Sequence, residues 1–142
     1  MVGSDSGGKP QPSSPAYVEF VGRVYDKATL AGYFREASLF FLPHRFDRSP
    51  HVLVEAMSAG LPLVASAQGG AIELIRNRGN GFLVDSGDID GYSEAILELL
   101  RKPDVREAMG TRGQLLMRQA YTWPKIASKI EQNMRNVLGR AA

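Results

Sequence analysis

Cysteine is absent from this chain of 142 residues, and that absence removes a disulfide scaffold, a thiolate metal site and a cysteine nucleophile together. Only two histidines are present, with no clustered carboxylates beside them, so the usual zinc ligand sets are excluded as well. Neither GxSxG nor HExxH occurs, so two common hydrolase signatures are missing. Long apolar runs are missing too: Leu39-Phe-Phe-Leu-Pro43 falls far short of the roughly 20 residues a membrane helix needs. Charge of one sign is scarce. Seventeen Lys and Arg against 15 Asp and Glu leave a net charge of +2, which gives no electrostatic case for nucleic acid as a partner. The first 16 residues have neither a basic start nor an apolar stretch, so no targeting segment is expected there.

What is present is ordinary globular material, 44% hydrophobic and 23% charged. A chain of this length forms one domain and buries about 68–70% of its unfolded surface, enough for a core without staples. Residues 1–16, rich in Gly, Ser and Pro, read as a flexible lead-in that does not fit GxGxxG. Residues 17–142 read as a single domain of alternating strands and helices.

Strands are expected at Tyr17–Val21, Ser38–Pro43, Leu61–Ser66 and Gly81–Val84. Helices are expected around Leu30–Ala37, His51–Ala59 with Gly60 as its C-cap, Ala71–Arg76, and a segment that turns Tyr92, Ile96, Leu99 and Leu100 to one side. A capping box, Asp104-Val-Arg-Glu107, opens the next helix, with Val105, Met109, Leu116 and Ala120 inward. Thr122 caps the last helix, where Trp123 is expected to anchor packing and Ile126, Ile130, Met134 and Val137 form an apolar face. Short apolar strands alternating with helices imply a three-layer, Rossmann-like parallel sheet covered on both faces. Ligands of such sheets sit at the carboxyl ends of the strands.

The loop after the second of those strands is the richest: Pro43-His-Arg-Phe-Asp47-Arg-Ser-Pro50-His-Val-Leu-Val-Glu55. Ser49 suits an N-cap and Pro50 a first helical position. The amides of His51 and Val52 would then be free at a helix end that favours an anion. Glu55 is the one charge between His51 and Gly60, and it has three readings: pairing with an arginine, lying on a solvent stripe, or meeting ligand hydroxyls. Gln68-Gly69-Gly70 before a helix lets backbone amides approach a ligand, with Glu73 in the following turn. Asp88-Ile89-Asp90 has a metal-binding spacing, but Asp88 as N-cap and Asp90 as dipole partner account for it, so no metal is expected.

In order and spacing the chain resembles the C-terminal, donor-binding half of a retaining GT-B glycosyltransferase of the family 4, or group 1, type. The likeness runs through Val18-Glu-Phe-Val-Gly22-Arg-Val24, Ala37-Ser-Leu-Phe-Phe-Leu-Pro43, Val54-Glu55-Ala-Met-Ser-Ala-Gly60-Leu-Pro-Leu-Val-Ala-Ser66, Gly69-Gly70-Ala-Ile-Glu73, Gly81-Phe-Leu-Val-Asp-Ser-Gly-Asp88 and Tyr121-Thr-Trp123. His44 stands where the family has Ser. The family's Glu-x7-Glu pair falls on Asp47 and Glu55.

The resemblance implies that Glu55 binds the nucleotide ribose and that Asp47, one methylene shorter than the family's acid, faces the transferred sugar as the catalytic carboxylate. It implies further donor contacts from His51, Val52, Gly22, Arg23, Val24, Gly69 and Gly70. The implied substrate is a nucleoside-diphosphate sugar, with no cofactor, and the implied reaction is hexosyl transfer to an acceptor hydroxyl in glycan, lipid or polysaccharide synthesis.

Of the family's preceding strand–helix–strand, with its basic pair for the diphosphate, only the tail of the second strand has a likeness here, in Met1-Val-Gly3-Ser, and the N-terminal acceptor domain has none. The domain is therefore expected to be incomplete and inactive alone, with the acceptor site on a missing N-terminal domain or a partner chain. The apolar face of the last helix is then expected to be partly exposed and to support weak self-association or pairing. The expected location is cytoplasmic, at the inner face of a membrane if peripheral lipid contact occurs. Rival readings are a nucleotide-sugar epimerase of GT-B architecture and a non-catalytic module that binds nucleotide or a partner.

Overall fold

The computed structural model describes residues 18–45 and 51–139, and the chain divides into two compact units, Met1–Glu36 and Ala37–Ala142. In the first, residues 18–26 form no regular element and lead into α1 (Lys27–Glu36). Of the strand expected at Tyr17–Val21, Tyr17 lies outside the described residues and 18–21 are not a strand; Phe20 is 52% exposed. A β-rich pattern needs a ladder partner, and no described residue supplies one to this segment.

Helix α1 is capped by Asp26, whose Oδ2 accepts from the Thr29 amide at 2.7 Å and the Thr29 hydroxyl at 2.6 Å. These bonds, the hydroxyl's foremost, hold the Asp26 carboxyl below its ordinary value. A lowered folded-state value means the cap's support is present above the unfolded pKa and lost as pH falls through the folded one. Acidification should therefore loosen the amides of Ala28 and Thr29 in this first turn, and Asp26→Ala should remove that pH response in an NMR titration.

The second unit contains β1 (Phe40–Leu42), α2 (His51–Ser58), β2 (Leu63–Ser66), α3 (Ala71–Leu74), β3 (Gly81–Val84), α4 (Ile89–Arg101), α5 (Pro103–Ala120) and α6 (Trp123–Leu138). Its strands pair in parallel in the order β1-β2-β3, with Phe41 opposite Val64 and Val64 opposite Phe82. This is the expected Rossmann-like sheet, with helices on both faces. Every residue of β2 is buried, as a central parallel strand covered on both sides requires. Period-two alternation sends Val64, Phe82 and Val84 into a cluster with Tyr92, Ala95 and Leu99 of α4. Leu63 and Ala65 face the other way, toward the side of the connecting helices, where Leu53, Ala56 and Met57 of α2 are fully buried.

Ser66 is the polar exception in β2, and its Oγ shares a 2.6 Å hydrogen bond with the buried Tyr92 hydroxyl. Tyr92→Phe leaves that serine without a partner and should cost about 1–3 kcal/mol, whereas a Ser66→Ala/Tyr92→Phe double variant should recover much of the loss. Chemical denaturation of the three variants checks this.

Helix α2 closes as expected at Gly60. With φ +83, Gly60 donates to the Met57 carbonyl at 3.0 Å, and Leu61 donates to Ala56 at 3.0 Å. Helix α5 packs on this turn through two glycines. A Cβ on Gly110 would collide with the Gly60 carbonyl oxygen, while one on Gly113 would touch Asn80 Cβ at 3.6 Å and Met57 Cγ at 3.8 Å.

Several expectations change. Helix α5 starts at Pro103, so Asp104 lies within its first turn and caps nothing; Pro in the first turn suffices because its missing N–H would be unpaired there anyway. Of the residues expected inward on α5, Met109 is buried, Val105 and Leu116 are half-buried and Ala120 is exposed; Gly110, Gly113 and Met117 are buried besides, because the helix packs closely on another backbone. Leu100 of α4 is exposed. On α6, Thr122 is the N-cap without a side-chain bond, and Trp123 is 83% exposed rather than a packing anchor. Ile130, Met134 and Val137 are also exposed, as expected for that face, and Ile126 is half-buried. No described helix is long and apolar enough to cross a membrane.

Candidate functional site

The carboxyl ends of β1, β2 and β3 bring three loops to one edge of the sheet. After β1 the backbone turns at once: the His44 amide donates to the Leu42 carbonyl at 3.0 Å, and Nδ1 of the same residue lies 3.2 Å from that oxygen. A carbonyl only accepts, so Nδ1 is the donor in this contact. That Nε2 is buried and has no partner among the described residues. Asp47, together with Ser49 and Pro50, lies outside the described residues.

Helix α2 begins at His51, which is exposed, and Val52 is half-buried. One turn in, Glu55 is exposed although its neighbours Val54 and Ala56 are half-buried and buried. No side-chain hydrogen bond or ion pair joins Glu55 to another described residue. Of its three readings, pairing with a described arginine is therefore not realised. Its charge escapes the cost of burial by lying on the solvent side of an otherwise apolar helix.

The loop after β2 turns through Gly69, at φ +55, a conformation that disfavours any residue with a Cβ. Gly70 is the N-cap of α3 and is helical in backbone; Glu73, in the first turn, is exposed. Helices α2 and α3 touch, and β1 and β2 are neighbours. His51, Val52 and Glu55 of α2 and the Gly69-Gly70 turn before α3 thus belong to neighbouring connections of the sheet. Gly22 (φ +65), Arg23 and Val24 belong to the first unit, where the Arg23 guanidinium sits 5.5 Å over the Tyr25 ring.

After β3, Asp88 Oδ1 accepts from the Gly91 amide at 2.9 Å, so this carboxylate is the N-cap of α4. Among the described residues no cluster of three or more His, Asp or Glu could hold a metal ion.

The pattern of residues did not reveal a second feature. A largely apolar cavity of about 400 Å³ opens beside β1 and α4, lined chiefly by Phe41, Pro43, Arg45, Ile89, Tyr92 and Ile96. Phe41 and Tyr92 meet edge to face at 5.2 Å within it. The signal available in the sequence was a helix turning two large apolar residues, Tyr92 and Ile96, toward a three-residue strand too narrow to cover both.

Residues 14–116 match the model of the family described as glycosyl transferases group 1. The chain belongs to this family.

The chain is 36% identical over 115 residues to a phosphatidyl-myo-inositol mannosyltransferase of Mycobacterium leprae, an alignment covering 80% of this chain and 30% of that protein. It is 33% identical over 84 residues to a GDP-mannose-dependent alpha-(1-6)-phosphatidylinositol monomannoside mannosyltransferase of Mycobacterium tuberculosis, covering 59% of this chain and 22% of that one. Among solved structures, sucrose-phosphate synthase from Thermosynechococcus elongatus superposes with a TM-score of 0.75 at 29% identity, over 86% of this chain and 30% of that chain. HepE from Anabaena, solved in complex with UDP, superposes with a TM-score of 0.69 at 26% identity, over 83% and 32%. The sheet is therefore part of a GT-B architecture. The chain spans no more than about a third of each of these four proteins.

Proposed function

We propose that this glycosyltransferase-family chain carries the nucleoside-diphosphate-sugar site of a retaining hexosyltransferase, and that the acceptor site belongs to the remaining length of the enzyme. The observation that carries the reading is Glu55. It is an exposed carboxylate without a described partner, one turn inside α2, the helix that follows β1 at the carboxyl edge of the sheet. A carboxylate there can accept from two vicinal hydroxyls, as a ribose presents them, and charged acceptors form the stronger hydrogen bonds. The amides at the start of α2 and the positive end of its dipole favour the diphosphate. Gly69 leaves room for close backbone approach.

In this reading Asp47 lies toward the sugar and stabilises positive charge that develops at the anomeric carbon as the glycosidic bond to diphosphate breaks. Two relatives support the ligand class: HepE was solved with UDP, and the mycobacterial enzyme is named for its dependence on GDP-mannose. Enzymes of this architecture work in a cleft between two domains, so the 142-residue chain binds donor without turnover.

Calorimetry with UDP, GDP and ADP tests the reading. Saturable binding of one nucleotide, unchanged by EDTA, is expected. Heats indistinguishable from dilution for all three would favour a non-catalytic, partner-binding module instead.

A further inference from the structure

Ser66 is the last residue of β2, and period-two alternation turns its side chain to the α4 face together with Val64. That space is otherwise apolar, filled by Val64, Phe82, Val84, Ala95 and Leu99. Into it the fold places a polar pair, Ser66 Oγ and the Tyr92 hydroxyl, 2.6 Å apart, with Ser66 fully buried and Tyr92 nearly so. An apolar pair of similar size would fill the same volume without desolvating two hydroxyls, so packing alone does not call for them. A satisfied buried pair does something packing cannot: its bond is directional and strong in a low dielectric, and it fixes one arrangement of the groups it joins.

What this bond joins can be followed along the chain in both directions. Tyr92 lies in the opening turn of α4. Its amide donates to the Asp88 carbonyl at 3.1 Å, in the turn that Asp88 caps, and its ring meets Phe41 of β1 edge to face at 5.2 Å. The hydroxyl is thus carried by a well-anchored ring. Ser66, on the other side, leads straight into the segment bearing Gly69 and Gly70. The Ala67 amide donates to the Val84 carbonyl at 2.7 Å, the Gln68 amide to the Ser66 carbonyl at 2.8 Å, and the Ala71 amide to the Gln68 carbonyl at 3.3 Å. All of these are backbone bonds. Among the described residues, no side chain other than Tyr92 bonds to residues 66–70. The two glycines bring no side chain of their own, and Gly69 sits at φ +55. The turn is therefore held chiefly at the point from which it springs.

We propose that Tyr92 is a positioning residue: its hydroxyl, acting through Ser66, holds the end of β2 and so sets the Gly69-Gly70 turn in the conformation that receives the donor. Tyr92 acts through Ser66 rather than on the donor itself. The ligand in this proposal rests on the donor-site reading; the bracing of the turn does not.

The test compares the unaltered chain with Tyr92→Phe and with Ser66→Ala/Tyr92→Phe. The single variant strands one hydroxyl; the double variant removes both, so it regains stability but not the tether. Amide hydrogen exchange without nucleotide is read at Ala67, which opens with the turn, and at Leu63, at the other end of β2, whose amide bonds to the Asn80 carbonyl. Ala67 should exchange at least about tenfold faster in both variants, while Leu63 in the double variant should keep its original rate. Calorimetry with UDP, GDP and ADP should show affinity for the preferred nucleotide weakened about fivefold or more in both variants, because a turn ordered in advance lowers the entropy cost of binding. A merely structural bond predicts that the double variant recovers Ala67 exchange and affinity along with its thermal midpoint, and that recovery would overturn the proposal. Unchanged Ala67 exchange, or a loosened turn with unchanged affinity, would overturn it too. Faster Ala67 exchange in both variants, with no nucleotide bound even by the unaltered chain, would uphold the brace and sink the donor-site reading alone. Should Tyr92→Phe fail to fold, the double variant carries the same comparison.

Discussion

Glu55→Ala should lower affinity for the preferred nucleotide by about 10- to 150-fold, the equivalent of roughly 1.5–3 kcal/mol for hydrogen bonds to a charged group. The same substitution should leave the thermal midpoint nearly unchanged or slightly raised. Glu55 is exposed, touches no described partner, and sits within a helix where alanine is the best former. This separation of binding from stability is the signature sought, because a structural carboxylate would move both. Glu55→Gln keeps the size but loses the charge, and should fall between the two. Calorimetry beside thermal denaturation reads all three proteins. Loss of stability with unchanged affinity would remove Glu55 from the site.

The second large effect concerns two glycines one turn apart in α5. Replacing a helical glycine by alanine gains about 1 kcal/mol from propensity alone, so propensity predicts that both substitutions stabilise. Packing separates them. At Gly110 the new Cβ meets the carbonyl oxygen of Gly60, a backbone atom fixed by the C-cap of α2, and α5 must move away from Met57 and Pro62. Overpacking of this kind costs about 1–3 kcal/mol, more where the obstacle is backbone, so Gly110→Ala should lower the midpoint by several degrees. At Gly113 the new methyl reaches ordinary contact distances, and Gly113→Ala should raise the midpoint by a few degrees. Scanning calorimetry of the two variants decides. A rise in both would mean that α5 does not lie against the Gly60 turn.

These glycines also mark what the sequence could and could not convey. The parallel sheet was legible because β2 and β3 are short apolar runs punctuated by Gly60 and by Asn80-Gly81, and the Gly60 cap and Asp88 cap follow from local chemistry that tertiary context did not override. Asn80 stands just before β3, where Asn-Gly signals no more than a turn. It proves to be a buried brace, taking the Arg76 amide at 2.8 Å on Oδ1 and giving Nδ2 to the Leu74 carbonyl at 3.1 Å. The inward side of α5 was legible only in part: apolar spacing points to Met109 and Val105, which join the core, and to Ala120, which is exposed, whereas close backbone approach selects Gly110 and Gly113. The strand at Tyr17–Val21 failed for a related reason. Local pattern is necessary for a strand, but its ladder partner must come from elsewhere. Trp123 shows the same limit, since an apolar helix face predicts burial only where a second surface exists to cover it. For Glu55, residue types and spacing left three placements open, and the fold sets its side chain on the solvent side of α2 without a described partner.

If the carboxyl edge of this sheet binds a nucleotide, a backbone amide NMR titration of the purified chain with UDP, GDP and ADP will reveal it. The expected result is a dispersed spectrum in which one nucleotide shifts His51, Val52, Glu55, Gly69 and Gly70 together, while Asn77 and Leu83 beside β3 stay still. A dispersed spectrum that ignores all three nucleotides, or one whose shifts gather at the β3 edge, would contradict it.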